Sequence, residues 1–305
     1  MKKSLFAALF AGFLALSSFS ADAASLSAIY DFRDQFDATQ TAFEGLDFTN
    51  DGTLWISSSP NISGAQRLLG VDLASETVLS TATFNKALNP TGLASDGTNL
   101  FFASNLKVLG NRIYSNVAPS ESEVELGTYA TLSSTTCKQA EGAAYLNGFL
   151  YVSCEESQNI IKINPNTGKV VEKLNIGVNL LGLGATETSL IVGDSTNHAL
   201  LIYDVMQGKV TETINLADLF VGADSDYTKM TGEEYKVTIA ENGDIRYIPD
   251  PDGLAYRNGK IYMTFEHDLR VYEITTITAT PEPTTLLLLG VGLLGLTKWR
   301  KSAKK

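Results

Sequence analysis

Histidine is almost missing from this chain: there are two in 305 residues, His198 and His267. That scarcity removes the side chain most often used for general acid–base work near neutral pH and for holding transition metals. No H-E-x-x-H, C-x-x-C or G-x-x-x-x-G-K-[ST] occurs, so zinc peptidase, dithiol and P-loop chemistries are excluded. Cysteine is equally sparse, with only Cys137 and Cys154, so the fold does not rest on a disulfide framework. Helical periodicity of any length is absent between the two ends, apart from Leu216 to Val221. Basic residues are scarce wherever the chain is not terminal. Setting aside Lys2, Lys3, Lys298, Arg300, Lys301, Lys304 and Lys305 leaves 16 of 23 bases, and setting aside Asp22 and Glu282 leaves 32 of 34 acids. The body thus carries a formal charge of −16 with no basic run. Nucleic acid and anionic membrane surfaces both call for a cationic patch, so the body is disfavoured as a binder of either.

What is present begins at the two ends. Lys2 and Lys3 precede an apolar run from Leu5 to Leu16, and Ala21-Asp22-Ala23 supplies an A-x-A cleavage site. This predicts an export signal over residues 1–23 and a mature start at Ala24. At the other end, Gly290-Val-Gly292-Leu-Leu-Gly295 has the G-x-G-x-x-G spacing of a dinucleotide loop. Such a loop needs a βαβ unit of about thirty residues around it. Only ten residues follow Gly295, so the nucleotide reading fails. The apolar span from Thr284 to Trp299 would instead make about 24 Å of helix, short against a hydrocarbon core of about 30 Å. Trp299 and the basic cluster after it would anchor its end on the cytoplasmic side.

Pro281-Glu282-Pro283, a short leucine- and glycine-rich span and a basic terminus together resemble the PEP-CTERM sorting signal of Gram-negative bacteria. The resemblance covers residues 281–305. It implies export, recognition of the motif by the membrane peptidase exosortase, and a cell-envelope or extracellular destination with the helix as a transient or permanent anchor. It also suggests a setting of exopolysaccharide production.

Between the ends, residues 24–280 repeat themselves. "EGLDFTNDGTLWISS" from Glu44, "TGLASDGTNLFFAS" from Thr91, "EGAAYLNGFLYVSC" from Glu141, "LGLGATETSLIVGD" from Leu181 and "DGLAYRNGKIYMTF" from Asp252 share one pattern. Each opens a strand with a glycine, turns, and alternates back. Asn147-Gly148 and Asn258-Gly259 are two-residue hairpin turns, whose central positions both need φ > 0. Third and fourth strands follow, as in "NIIKINPNTGKVVEKL" and "ALLIYDVMQGKVTETI". Four antiparallel strands recurring at this period indicate an all-β fold, a single β-propeller. Gly45, Gly92, Gly142, Gly182 and Gly253 open the innermost strands, where crowding at the axis favours a residue without Cβ. Their spacings are 47, 50, 40 and 71 residues. The long interval holds a hairpin from Tyr235 to Ile248, which predicts five blades with an insertion; six blades is the alternative. Residues Leu26 to Phe32 are expected to supply the outer strand of the last blade and so close the ring. The phrases from Glu141 and Asp252 resemble NHL-like, YncE-like and SdiA-regulated propellers, a likeness that bears on fold more than on activity.

Chemistry has few places to sit. Glu44, Glu141 and Asp252 precede three of the hub glycines, so three carboxylates converge on one rim of the channel, where they would need a cation, a partner or raised pKa values. Calcium accepts such flexible oxygen ligation, and the propeller resemblance implies calcium-dependent lactonases or phosphoesterase-like hydrolases with an ion in this position. Thr91 and Leu181 break the acidic ring. Ser195, His198 and Asp194 lie too close together in one tight loop for a hydrolytic triad, and His267 falls in the equivalent loop of the last repeat. Counting back from the Asn147-Gly148 turn sets residue 141 against residue 154, with Cys137 in the incoming loop, which predicts a Cys137–Cys154 disulfide in an oxidising compartment. Trp55, Phe101, Phe102, Tyr151 and Tyr262 alternate on second strands and are read as packing between blades. The leading expectation is a non-catalytic surface or matrix propeller that binds a polysaccharide or a surface protein. The alternative is a calcium-dependent hydrolase built on Glu44, Glu141 and Asp252.

Overall fold

The computed structural model describes residues 24–36, 41–59, 66–84, 89–105, 111–117, 123–124, 127–238, 245–265 and 268–276. The expected export signal, the expected sorting segment and helix, and His267 lie outside them. Among the described residues no helix is long and apolar enough to cross a membrane.

Alternating apolar residues and φ > 0 turns build one sheet per repeat. After β1 (Ser25–Asp31), the strands β2 (Ala42–Phe48), β3 (Leu54–Ser59), β4 (Arg67–Asp72) and β5 (Thr77–Phe84) form the first sheet. The second has β6 (Pro90–Ser95), β7 (Asn99–Ser104), β8 (Asn111–Val117) and β10 (Gly127–Leu132), while β9 (Glu123–Val124) pairs in parallel with the outer edge of β5. The third has β11 (Ala140–Leu146), β12 (Phe149–Cys154), β13 (Asn159–Asn164) and β14 (Lys169–Asn175); the fourth has β15 (Leu180–Ala185), β16 (Ser189–Asp194), β17 (Ala199–Asp204) and β18 (Lys209–Asn215). An insertion follows: helices α1 (Leu216–Phe220) and α2 (Asp226–Thr231), then a ribbon of β19 (Val237–Thr238) and β20 (Ile245–Arg246). The last sheet orders β21 (Pro251–Arg257), β22 (Lys260–Phe265), β23 (Arg270–Thr275) and then β1. The expected closure is therefore present. Chain entry and exit lie side by side, since Ser25 pairs with Thr275, at the opposite strand end from Pro251, where β21 begins.

The inner strands touch in a closed cycle, β2 to β6 to β11 to β15 to β21 and back to β2. The arrangement is propeller-like. A Cβ on Gly45 would stand 2.2 Å from Leu93 N, on Gly92 2.3 Å from Glu141 O, on Gly142 2.3 Å from Leu183 N, on Gly182 2.1 Å from Asp252 O, and on Gly253 2.1 Å from Glu44 O. Each hub glycine thus abuts the next inner strand, and the fifth abuts the first. Every inner strand also carries a register shift at this place, so the hub glycine and the residue before it oppose a single residue of the second strand. A bulge takes a backbone N–H out of the ladder. Ser57 Oγ accepts from Gly45 N at 3.0 Å, and Ser153 Oγ accepts from Gly142 N at 2.6 Å. Both hydroxyls lie against the neighbouring blade, within 3.1 Å of Pro90 O and 2.5 Å of Leu181 O.

Between blades the expected aromatics are buried: Trp55, Phe101, Phe102, Tyr151 and Tyr262. Phe48 meets Tyr262 edge-on at 4.9 Å and Phe101 stacks on Tyr145 at 6.0 Å, each pair joining two sheets. Cys137 and Cys154 are disulfide-bonded with Cα atoms 5.2 Å apart. The bulge corrects one detail: Ala140, not Glu141, faces Cys154. Alkylation of the intact protein without reductant is expected to add no label by mass spectrometry. Cys154→Ser is expected to cost about 2–4 kcal/mol of stability in denaturant titration, the usual worth of such a bridge.

The insertion is locked onto the last sheet. Asn215 and Ser225 cap the two helices, accepting from Ala217 N and Thr228 N, and Gly232 ends the second at φ 76°. Leu26 N donates to Asp226 Oδ2 at 3.0 Å, tying α2 to the closing strand. Beneath, Phe220 packs on Phe265 and Tyr272 at 5.1 and 5.0 Å, and Tyr235 on Phe265 at 5.6 Å. Arg270 lies within this cluster, bidentate to Asp268 at 2.8 and 2.9 Å, with both residues buried. Its Nη1 donates to the Tyr227 hydroxyl at 2.5 Å, and its guanidinium lies 5.5–5.7 Å from the rings of Tyr227, Tyr235 and Tyr272. Burial works against the Arg270 charge; the Asp268 carboxylate beside it prevails and holds its pKa above the ordinary value.

Candidate functional site

Five equivalent positions before the hub glycines form one layer: Glu44, Thr91, Glu141, Leu181 and Asp252. The bulge in each inner strand sets this layer apart from the regular ladder below it. Glu44, Glu141 and Asp252 are all buried, at 9%, 6% and 5% exposure, so none is a solvated rim carboxylate. Their surroundings differ. Ser59 Oγ donates to Glu44 Oε1 within the first sheet. Asn105 Nδ2 donates to Glu141 Oε1 at 2.7 Å and is itself held by Asn89, whose Nδ2 donates to Asn105 Oδ1 at 2.8 Å. Thr91 Oγ1 donates to Ala140 O at 2.8 Å, bridging the second and third sheets.

Inner strands β11 and β21 belong to non-neighbouring sheets yet approach each other across the ring. Burial, with the Asp252 charge as the next cause, pushes the Glu141 carboxyl up to about 8. Asp252 thus acts on Glu141 as a charge from across the ring, and Ser59 donates to Glu44. Among the described residues no group of three or more His, Cys, Asp or Glu is placed to hold one metal ion.

The raised Glu141 value has a consequence for stability. An unfolded glutamate titrates near about 4.3, so between there and about 8 the folded state binds the extra proton. The Glu141 contribution to stability is then greatest at acid pH and falls as pH rises through that window. Glu141→Gln keeps an oxygen acceptor for Asn105. It is expected to raise Tm at pH 9 by several degrees and to leave Tm at pH 4 nearly unchanged, measured by thermal melts at both values.

The Ser195, His198 and Asp194 group is not a triad. Asp194 Oδ1 accepts from Thr196 N and Asn197 N at 2.9 and 3.1 Å, which makes it a turn-former. His198 Nδ1 lies 3.0 Å from Asp250 Oδ1, and Asp250 Oδ2 meets Arg246 Nη1 at 2.9 Å. His198 therefore joins the fourth sheet's loop to the end of the insertion. His198 and Gln158, in corresponding loops of the fourth and third sheets, share a left-handed backbone at φ 51° and 54°.

One surface escaped the sequence reading. Ile245, Tyr247 and Ile248, on and just after β20, are 46%, 54% and 40% exposed. Tyr247 also lines a cleft of about 410 Å³ with Glu233, Glu234 and Lys236. Ile245 and Tyr247 alternate around Arg246 in sequence, but alternation alone does not tell an exposed ribbon from a half-buried strand.

Comparison with known proteins divides the chain. Residues 279–302 match the PEP-CTERM protein-sorting motif, and Pro281, Glu282 and Pro283 lie within the match. The motif implies export, processing by exosortase and a cell-envelope location in a Gram-negative bacterium. No curated protein matches the sequence. Among solved structures, the glutaminyl cyclase of Myxococcus xanthus is similar over 83% of this chain and 95% of that one, with 16% identity and a TM-score of 0.60. At that identity the likeness shows the fold alone. A nidogen/laminin complex chain (14% identity, 73% of this chain and 72% of that one, TM-score 0.45) and Kuenenia stuttgartiensis hydrazine synthase (15%, 72% and 72%, 0.42) are more distant.

Proposed function

We propose that this chain is an exported, cell-envelope propeller that acts as a non-catalytic binding module. In this reading residues 1–23 are the export signal, 24–280 the propeller, and 281–305 the sorting signal with its short membrane helix. Five sheets and a closed cycle of inner strands support a five-bladed count, with β19 and β20 as an insertion. The NHL-, YncE- or SdiA-regulated-like subtype rests on the repeat phrases. An exopolysaccharide or surface-protein partner rests on the setting of the sorting motif.

One observation carries the binding role. At the channel mouth, polar groups are buried and engaged in structure: Glu141 with Asn105 and Thr91 with Ala140 join the second and third sheets, and Glu44 is bonded to Ser59 within the first. The calcium-dependent hydrolase is the second reading, favoured by the opposition of Glu141 and Asp252. Titration calorimetry with calcium and a panel of esterase, lactonase and phosphatase substrates, with calcium and with chelator, separates the two. The binding module predicts no turnover and no calcium affinity better than millimolar. Calcium-dependent turnover that disappears in Glu141→Gln would establish the hydrolase instead.

A further inference from the structure

The insertion between β18 and β21 differs in character from the rest of the surface. Other large exposed apolar side chains include Leu79, Val170, Val171 and Val210, on outer strands, where single apolar residues are ordinary. Ile245, Tyr247 and Ile248 instead fall within four residues of one another, and Tyr247 lines a cleft with Glu233, Glu234 and Lys236. Chain neighbours of these residues are held in place. Tyr235, next to the cleft residues Glu234 and Lys236, is buried against Phe220 and Phe265, and Arg246 is held through Asp250 to His198. An exposed aromatic whose chain neighbour Arg246 is fixed is the kind of group that anchors a partner with little ordering cost.

Charge selects the partner. Residues 216–250 contain eight acids and three bases, a net charge of −5 within a body of −16. Two of those acids, Glu233 and Glu234, line the cleft with Tyr247. An anionic membrane, an acidic polysaccharide or a second copy of this chain would be repelled there. We infer that the insertion docks a partner protein through a short lysine- or arginine-rich segment bearing apolar side chains. Its bases pair with Glu233 and Glu234, and its apolar residues cover Ile245, Tyr247 and Ile248. This rests on the binding-module reading and names the partner chemistry for it.

The test uses the full chain and a fluorescently labelled twelve-residue peptide of alternating lysine and leucine with one central tryptophan, read by fluorescence anisotropy. A glutamate-for-lysine peptide and phosphatidylglycerol vesicles serve as the other arms. Tyr247→Ala, and separately Glu233→Gln with Glu234→Gln, are each expected to weaken binding about tenfold or more, the scale of losing a central anchor. Glu172→Gln with Glu212→Gln, on the outer strands, is expected to leave it unchanged. All these positions are exposed, and matching melts establish that each variant is folded. Equal loss from both pairs of variants, or none from the insertion variants, overturns the inference, as does stronger binding of the vesicles or the acidic peptide. Peptide binding that survives the insertion changes but fails in Glu141→Gln moves recognition to the channel, which sinks the docking site and leaves the binding module standing. Turnover in the hydrolase panel sinks the binding module itself, whatever the peptide does.

Discussion

Gly142→Ala is expected to destabilise the propeller by about 3 kcal/mol, the upper end of ordinary overpacking. At roughly 2–4 °C per kcal/mol for a domain of this size, that lowers Tm by about 6–12 °C. The added Cβ would lie 2.3 Å from Leu183 N and 2.7 Å from both Gly182 C and Leu181 O. All three are backbone atoms, so no side-chain rotation relieves the clash. Nor can β15 retreat freely, because a Cβ-sized gap is equally missing where Gly182 meets Asp252 O. Relief at one contact transfers the strain around the ring. Gly127 is the control: it lies in outer strand β10, and a Cβ there meets nothing within 4 Å. Gly127→Ala is expected to leave the melt unchanged or slightly raised, since alanine restricts the unfolded chain. A Gly142→Ala melt within a degree of wild type would show that the inner strands are not in close contact.

These glycines were legible in the sequence because one residue type recurs at one offset in five repeats, and packing at an axis gives it a reason. The disulfide was legible too, since a two-residue turn at Asn147-Gly148 sets the register of the hairpin. The bulge was not. It is present in every repeat, so comparing repeats cannot reveal it, and it moved the partner of Cys154 from Glu141 to Ala140. The same extra residue sets the layer in which Glu44, Thr91 and Glu141 find their partners, so the fate of the carboxylates was hidden with it. Read as letters, Glu44, Glu141 and Asp252 are one set. In the fold, Ser59 donates to the first, Asn105 donates to the second, and the charge of the third raises the pKa of the second. The insertion was the least legible part. Asp268, Arg270 and Tyr272 alternate along one strand face and hint at a polar cluster. That Phe220, Tyr227 and Tyr235 would close over them is a long-range fact that no local pattern carries. The short helix α2 depends on the same packing, being too short to stand on propensity.

Removing residues 24–32 is expected to lower Tm by more than about 10 °C or to leave the protein aggregated, with loss judged by thermal melts and light scattering. Strand β1 supplies the outer edge of the last sheet through six residue pairs, from Ser25↔Thr275 to Asp31↔Arg270. Without it, β23 presents an open apolar edge containing Val271 and Ile274, a template for pairing with other chains. The damage extends inward. Ser27 Oγ and Tyr30 Oη donate to the Glu273 carboxylate at 2.7 and 2.9 Å, Lys260 Nζ donates at 2.7 Å, and the Tyr262 hydroxyl is a further donor. Burial opposes the Glu273 charge, and these donors together hold its pKa below the ordinary value. Taking away two of them leaves a buried carboxylate underserved. Phe32, fully buried against Phe43, leaves a cavity in the first sheet's core, and α2 loses the Leu26 N–H that binds Asp226. A synthetic peptide of residues 24–36 added in trans is expected to restore the melt, because the vacated edge accepts the same strand. A peptide with Tyr30→Phe, which lacks one donor to Glu273, should restore it less. An unchanged melt on deletion would mean that the ring closes without this strand. The export signal proposed for residues 1–23 fits the same constraint, since cleavage after Ala23 leaves a single residue ahead of β1, and cleavage a few residues later would cut into the strand that closes the ring.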